Sequence, residues 1–281
     1  MLTRFFRTLQ AKRRLIAARS SGYSGYFSDS LEFSECQPRS GTSLPPYDGL
    51  AEVWHDYAAP CQWDYAAFLD GLAQAGSFEL RSVLDLACGA GLLASRLAVT
   101  VPDVVGLDLC EAMLERARAQ PLSAKVRYVH GDFRAFQIGQ TFDAAVSGFN
   151  SLNYVRDIGE LHAVFRHVAQ HLEPHGVFVF DTITRAGMEA TAGLYYHVRT
   201  PTTRFAIHFS FDASAGHGAA FVHLSSGCER HDRIPLDPAD VLQAARESGL
   251  VVDDYFSHAL LPGRWFTGGV CFFILRKQRR T

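Results

Sequence analysis

Three acids, each expected at the carboxyl end of an apolar run, and one turn of small residues carry the chemistry this sequence can do. Residues 83–91 read VLDLACGAG and continue as Leu92-Leu93. Val83, Leu84 and Leu86 have the character of a strand buried on both faces, with the carboxylate of Asp85 near its end. Ala87, Gly89, Ala90 and Gly91 then strip side chains from the turn, so that backbone N–H groups can approach a ligand at a helix N-terminus. Open α/β sheets bind their ligands at this point. A second apolar run, 104–109, ends in Asp108, seventeen residues after Gly91. A carboxylate there suits both hydroxyls of a ribose, because it accepts two hydrogen bonds at once. A third run, 126–130, leads into Gly131-Asp132-Phe133. The glycine spacing departs from the dinucleotide fingerprint G-x-G-x-x-G: Ala87 replaces the first glycine and 90–92 do not supply the third.

The elements that must position these groups follow from periodicity. Leu92, Leu93 and Leu97 fit a helix packed on the sheet, and the helix predicted at 111–120 turns Met113, Leu114 and Ala117 inward. Residues 142–147 are a fourth strand. Leu161, Val164, Phe165, Val168 and Leu172 form a helical stripe, stopped by Pro174 and Gly176, before a fifth strand at 177–180 ending in Asp181. On that helical projection His162 and His167 fall off the apolar stripe and His175 beyond its end, so the four histidines with His171 read as a solvated face rather than a metal site. Phe205, Ile207, Phe209 and Phe211 alternate, as do Phe221, His223 and Ser225, which predicts an antiparallel pair. A helix at 237–248, capped by Asp237 before Pro238, and strands at 251–258 and 269–275 close the chain.

The 281 residues suffice for one large domain with extensions. A net charge of −2 argues against wrapping nucleic acid by bulk electrostatics. No apolar run reaches the roughly 20 residues that span a bilayer. The six cysteines contain no C-x-x-C pair, which fits a reduced, cytoplasmic setting. Residues 1–45 form a basic extension and linker. Arg4, Arg7, Lys12, Arg13, Arg14 and Arg19 precede the first acid, Asp29, and Leu2, Phe5, Phe6, Leu9 and Ile16 recur near helical spacing. A helix packed on the domain or a partner subunit, an organellar transit peptide and adhesion to an anionic membrane all fit that pattern. Residues 20–46 read as an irregular connection.

The motifs at 83–93, 106–118 (GLDLCEAMLERAR) and 131–133 together resemble the S-adenosylmethionine (SAM)-dependent methyltransferases of the Rossmann-like class, small-molecule type. The resemblance spans roughly residues 45–277. It implies an α/β fold: a seven-stranded, mostly parallel sheet with an antiparallel C-terminal edge, helices on both faces and a small β cap inserted at 182–235. The domain then runs over 46–281, with an N-terminal lid at 46–80. It further implies that Leu109 and Met113 flank the adenosine, and that Asp132 and the Phe133 N–H take the adenine. Phe149, Asn150, Asn153 and Tyr154 then stand between the cofactor's methionine end and the acceptor. The family's lid places an aromatic ring over the sulfonium near a Tyr-Asp pair; here Trp54-His55 occupies that place, beside Tyr57 and Trp63. Trp54 can face a cation, and His55 becomes a candidate base. Cys228–Arg233 looks like a shortened form of the family's acidic segment leaving the cap, which makes His231 a substrate or proton-transfer candidate. Tyr195, Tyr196 and His197 are further candidates for the pocket.

Cofactor contacts are thus expected at Trp54, Asp85, Ala87, Gly89, Gly91, Asp108, Leu109, Met113, Asp132, Phe133 and Phe149. Catalytic groups are expected at His55, Tyr154 and His231, with no metal. The absence of an N-P-P-[YF] tetrapeptide points away from nucleic acid and towards a small-molecule acceptor. With no unambiguous base in view, the acceptor atom leans towards an amine, an oxygen being the alternative. A homo-oligomer is compatible with this reading. A nucleotide-dependent oxidoreductase, an inactive SAM-binding partner subunit and a nucleic-acid or protein methyltransferase are the competing classes.

Overall fold

The computed structural model describes residues 27–28, 43–58, 64–76, 78–199, 202, 204–260 and 266–278. The basic segment at 1–21, Cys36, Cys61, Trp63 and the last residues of the basic tail lie outside them.

A seven-stranded sheet organises the molecule. Its strands are β3 (Ser82–Leu86), β4 (Asp103–Asp108), β5 (Val126–His130), β6 (Phe142–Ser147), β7 (Leu172–Ile183), β12 (Leu250–Leu260) and β13 (Phe266–Lys277). Their order is β12-β13-β7-β6-β3-β4-β5. β3, β4, β5, β6 and β7 pair in parallel, while β13 runs antiparallel to β7 and β12 to β13. The chain leaves β3 towards β4 and β5, then returns to β6 on the other side. That reversal leaves a crevice at the carboxyl ends of β3 and β6, where ligands of such sheets bind.

Burial explains the strand sequences. In β3, Leu84 and Leu86 enter the core layer that holds Phe165, Phe178 and Phe180, while Val83 joins the opposite layer with Leu69, Leu93 and Val146. Both faces are covered, so the strand reads as a continuous apolar run. The first layer is roofed by α5 (Ile158–His171) and α7 (Pro238–Ser248), the second by α2 (Tyr65–Gly76) and α3 (Leu92–Leu97). Asp157 caps α5 by accepting from the Glu160 N–H at 2.9 Å. The expected helix stop at Pro174 is corrected: α5 ends at His171 and β7 begins at once with Leu172. The expected solvated histidine face is also corrected. His171 is buried, its Nδ1 2.7 Å from the His167 carbonyl and its Nε2 accepting the Ile138 N–H at 3.0 Å. His162 pairs with Glu247 of α7. The loop after β5 and helix α7 cover positions that a projection of α5 alone leaves open.

The remaining strands form a second sheet above the crevice, in the order β1-β8-β9-β10-β11-β2. β8 (Tyr195–Arg199), β9 (Arg204–Asp212), β10 (His217–Leu224) and β11 (Gly227–Arg233) make an antiparallel meander. Its edges, β1 (Phe27–Ser28) and β2 (Ser43–Leu44), come from the stretch expected to be an irregular connection. Two-residue strands carry no alternation to read, so the cap is larger than the insertion alone. Helix α6 (Arg185–Thr191) and the lid helix α1 (Leu50–Ala58) sit between the two sheets, α1 packing Leu50 on Val198, Phe205, Ile207, Ala220 and Val222.

Candidate functional site

The turn after β3 is built by backbone geometry. Ala87, Gly89 and Gly91 all have positive φ, at 56°, 54° and 74°. Gly91 is required on two counts, since a β-carbon there would be strained and would also press on Ala117 Cβ at 2.9 Å and on Tyr128 Oη. The Cys88 N–H bonds the Leu107 carbonyl and the Gly91 N–H bonds the Cys88 carbonyl, each at 3.0 Å. These bonds pin the turn to the end of β4 and start α3.

A cavity of about 560 Å³ opens over this turn. It is lined by Trp54, Asp85, Ala87, Gly89, Asp108, Leu109, Met113, Asp132, Phe133, Phe149 and Tyr154, with Tyr47 at the lid end. Gly91 is the one expected cofactor residue that shapes the wall from behind. Asp85 is 2% exposed and its Oδ2 has no hydrogen-bond partner among the described residues. Burial, then the neighbouring Asp108 charge, push its pKa well above the usual carboxylate range, against a lowering contribution from the Ala94 N–H. This carboxyl is available to a cationic ligand group. Asp108 accepts from the N–H of Gly89 at 2.7 Å and of Cys110 at 2.8 Å, so it also holds the turn in place. Burial raises its pKa and those backbone donors oppose the rise. Asp132 is engaged by Arg134 through Nε and Nη2 at 2.6–2.9 Å. Burial works to raise its pKa, but the Arg134 bonds outweigh it and hold the group below its ordinary value. An adenine amino group would therefore share Asp132 with Arg134.

Asp85, with one oxygen unpartnered, gives a test of stability. Asp85→Asn is expected to be more stable than wild type at pH 7 by about 1–2 kcal/mol, because a neutral amide avoids the cost of ionising a buried carboxyl that has one oxygen unpartnered. An acid whose folded pKa is raised contributes stability below its unfolded pKa of about 3.9 and loses it as pH rises towards the folded value. Wild type should gain on the mutant as pH falls from 7 to 4 in thermal melts.

The lid brings its own groups. Trp54 lies over the turn, Nε1 3.4 Å from where a Gly89 β-carbon would be, with its ring 5.5 Å from Phe149 and edge-on to Tyr47. His55 is corrected: the next position on α1 faces outward, is exposed and does not line the cavity. Adjacent helical residues point about 100° apart, so Trp54 and His55 cannot both face the cavity. Phe149 and Asn150 have φ of 58° and 55°, which turns the chain sharply after β6. Asn153 is also corrected, from an acceptor contact to a structural strut. Fully buried, it bridges both backbone groups of Ile183 and the Ile234 carbonyl at 2.7–2.9 Å. Tyr195 and His197 belong to the outer face of the cap, where Tyr195 packs against His208 and His223. Tyr196 alternates to the inner face, beside Phe209.

One polar chain joins lid, cavity and cap. Tyr47 Oη donates to Tyr154 Oη at 2.8 Å, and Tyr154 Oη lies 3.0 Å from His231 Nδ1. His231 Nε2 lies 2.9 Å from Glu229 Oε2. The Glu229 carboxylate is fully buried and also accepts the N–H groups of Tyr47, Gly49 and Leu50 at 2.9, 2.6 and 2.7 Å. Burial works to raise the Glu229 pKa; the His231 and backbone bonds prevail and hold it below its ordinary value. An ionised Glu229 assigns the proton of neutral His231 to Nε2 and leaves Nδ1 to accept from Tyr154. His231 is 2% exposed and does not itself line the cavity, but it touches two residues that do, Tyr154 by hydrogen bond and Tyr47 by an edge-on ring contact. Burial raises the pKa of both tyrosines. Neither Glu229 nor Tyr47 stands out in the sequence; the signal lay in the alternation Glu229, His231, Arg233 along one strand face.

The fold and this cavity define the class. The family model described as a methyltransferase domain matches residues 83–176, and the fold around that stretch is the Rossmann-like one of SAM-dependent methyltransferases. Among curated relatives, the dTDP-3-amino-3,4,6-trideoxy-alpha-D-glucopyranose N,N-dimethyltransferase of Streptomyces venezuelae is 37% identical over 126 residues, covering 45% of this chain and 50% of that protein. The chain thus matches about half the length of the curated relatives that resemble it. Among solved structures, SAM-bound CalS10, an amino pentose methyltransferase from Micromonospora echinaspora, is 25% identical with a TM-score of 0.59, over 83% of this chain and 94% of its own. A SAM-dependent methyltransferase from Clostridium acetobutylicum superposes with a TM-score of 0.69 at 19% identity, over 83% and 99% of the two chains, which bears on the fold alone. Among the described residues, no helix is long and apolar enough to cross a membrane.

Proposed function

We propose that the protein is a SAM-dependent N-methyltransferase acting on an amine of a small polar acceptor, an amino sugar being the class its relatives' names suggest. The observation that carries this reading is the cavity itself, whose lining offers a partner for each part of the cofactor. Asp85, whose Oδ2 has no partner among the described residues, suits the ammonium of the methionine moiety, Asp108 a ribose diol, and Asp132 with the Phe133 N–H the adenine. Met113 and Leu109 are apolar flanks for the base, and Trp54 and Phe149 offer aromatic faces near the lid, where a ring stabilises a cation. SAM supplies an electrophilic methyl group when bound.

The chain's residues supply alignment and proton handling. Orienting a nucleophile against the methyl group lowers the barrier by about 7–11 kcal/mol. An amine that arrives protonated has no lone pair to use, so a proton must leave before transfer. Tyr154, at the cavity wall, can take it while passing its own proton to His231 Nδ1, with Glu229 balancing the imidazolium. Incubating the protein with SAM and a panel of amino sugars and their hydroxyl counterparts, read by a mass gain of one methyl, tests the reading; methylation confined to the hydroxyl compounds or absent throughout would contradict it. Tyr154→Phe should lower turnover of a methylated amine by about 10²-fold at pH 7, as positioned acid–base groups contribute. The loss should shrink as pH rises towards the amine's own pKa, because the acceptor then arrives deprotonated. An equal loss at every pH would assign Tyr154 to packing.

A further inference from the structure

We propose that Arg233 is an anion-recognition residue on the acceptor side of the cavity, placed to take a phosphoester group of the methyl acceptor; this rests on the reading of the cavity as a methyltransferase site. Glu229, His231 and Arg233 alternate along one face of β11, the face turned towards the lid. The first two are committed to the lid helix and to Tyr154. Arg233 is not. Its Nε is buried without a hydrogen-bond partner, and no ion pair to its guanidinium occurs among the described residues. It packs over the inner-face ring of Phe209, 5.5 Å from the ring centre.

A partly buried guanidinium with no anion beside it among the described residues is an unfinished site, and its planar fork matches phosphate in a bidentate manner. Its place in the fold points to the acceptor. The next residue, Ile234, donates its N–H to the Asn153 carbonyl, which ties this end of β11 to the turn carrying Tyr154. The Arg233 charge also works to lower the pKa of both Tyr47 and Tyr154, which line the cavity. One step further along β9, Phe211 lies 5.5 Å under Arg185 of α6, whose guanidinium already bonds the Ala213 carbonyl. The Arg185 contribution should be smaller.

The test is calorimetric titration of inorganic pyrophosphate, and then thymidine diphosphate, into the full chain at low salt, with and without saturating S-adenosylhomocysteine. Wild type is expected to bind both anions, Arg233→Gln to weaken them by about tenfold or more, and Arg185→Gln by about two- to threefold. Arg233→Lys, which keeps the charge but loses the fork, should fall between, and it carries the test if Arg233→Gln fails to fold. Homocysteine-cofactor affinity should be the same in all four proteins. No anion binding by wild type, or equal binding by the folded Arg233→Gln variant, would overturn the proposal. So would a loss of S-adenosylhomocysteine affinity in that variant, which would assign Arg233 to the cofactor's own carboxylate. Failure of S-adenosylhomocysteine to bind wild type would strike the methyltransferase reading separately, and the titration without it still reads Arg233.

Discussion

Glu229→Ala is expected to cost about 3–5 kcal/mol of folding stability, the scale for removing one partner of a buried charged network. The substitution leaves the N–H groups of Tyr47, Gly49 and Leu50 without their acceptor and strips His231 of the group that fixes its tautomer. Each orphaned buried donor contributes about 1–3 kcal/mol. At about 2–4 °C per kcal/mol for a chain of this size, the melting temperature should fall by roughly 6–20 °C. Glu229→Gln should cost less, since the amide keeps one acceptor oxygen. Because the folded pKa of Glu229 lies below its unfolded value, its contribution is complete above about pH 4.3 and disappears as pH falls through the folded pKa. The stability gap between wild type and Glu229→Ala should therefore close in acid. A melting temperature within about 2 °C of wild type at pH 7 would show that the lid is held by something other than this carboxylate.

Asp108→Ala is expected to weaken S-adenosylhomocysteine by about tenfold to a hundredfold, or about 1.4–2.8 kcal/mol. Two effects combine. Hydrogen bonds to a charged group contribute about 1.5–3 kcal/mol each, and the ribose would lose its acceptor. The glycine turn would also lose the carboxylate that accepts the Gly89 and Cys110 N–H groups and holds the turn in its binding shape. Asp108→Asn, which keeps one acceptor oxygen, should bind more tightly than Asp108→Ala. Equal affinities for both variants and wild type would place the cofactor elsewhere.

The parts of this site legible in the sequence are those whose signal is local. Residues 83–91 announce a strand, a turn and a helix because burial on both faces and the absence of side chains leave a direct mark on composition. Asp108 and Asp132 were legible from their position after apolar runs. The lid and cap were less so. Trp54 and His55 are neighbours in sequence, and only the helical phase of α1 decides which faces the cavity. Asn153 has the residue type of a ligand contact, yet three backbone groups from β7 and the end of β11 consume its amide. His171 reads as solvated until the Ile138 N–H arrives from another loop. Glu229 is the clearest case. An acid in a run of charged residues has the pattern of a surface strand. Its burial arises because residues 47–50, some 180 positions earlier, bring three N–H groups to it.

The cavity over the glycine turn is expected to take SAM and not a nicotinamide dinucleotide. The most direct test is calorimetric titration of S-adenosylhomocysteine and of NAD into the purified wild-type chain. One-to-one binding of S-adenosylhomocysteine at micromolar affinity, about −8 kcal/mol, with no heat from NAD, is the predicted result. NAD binding, or no S-adenosylhomocysteine binding by a chain that melts cooperatively, would contradict it.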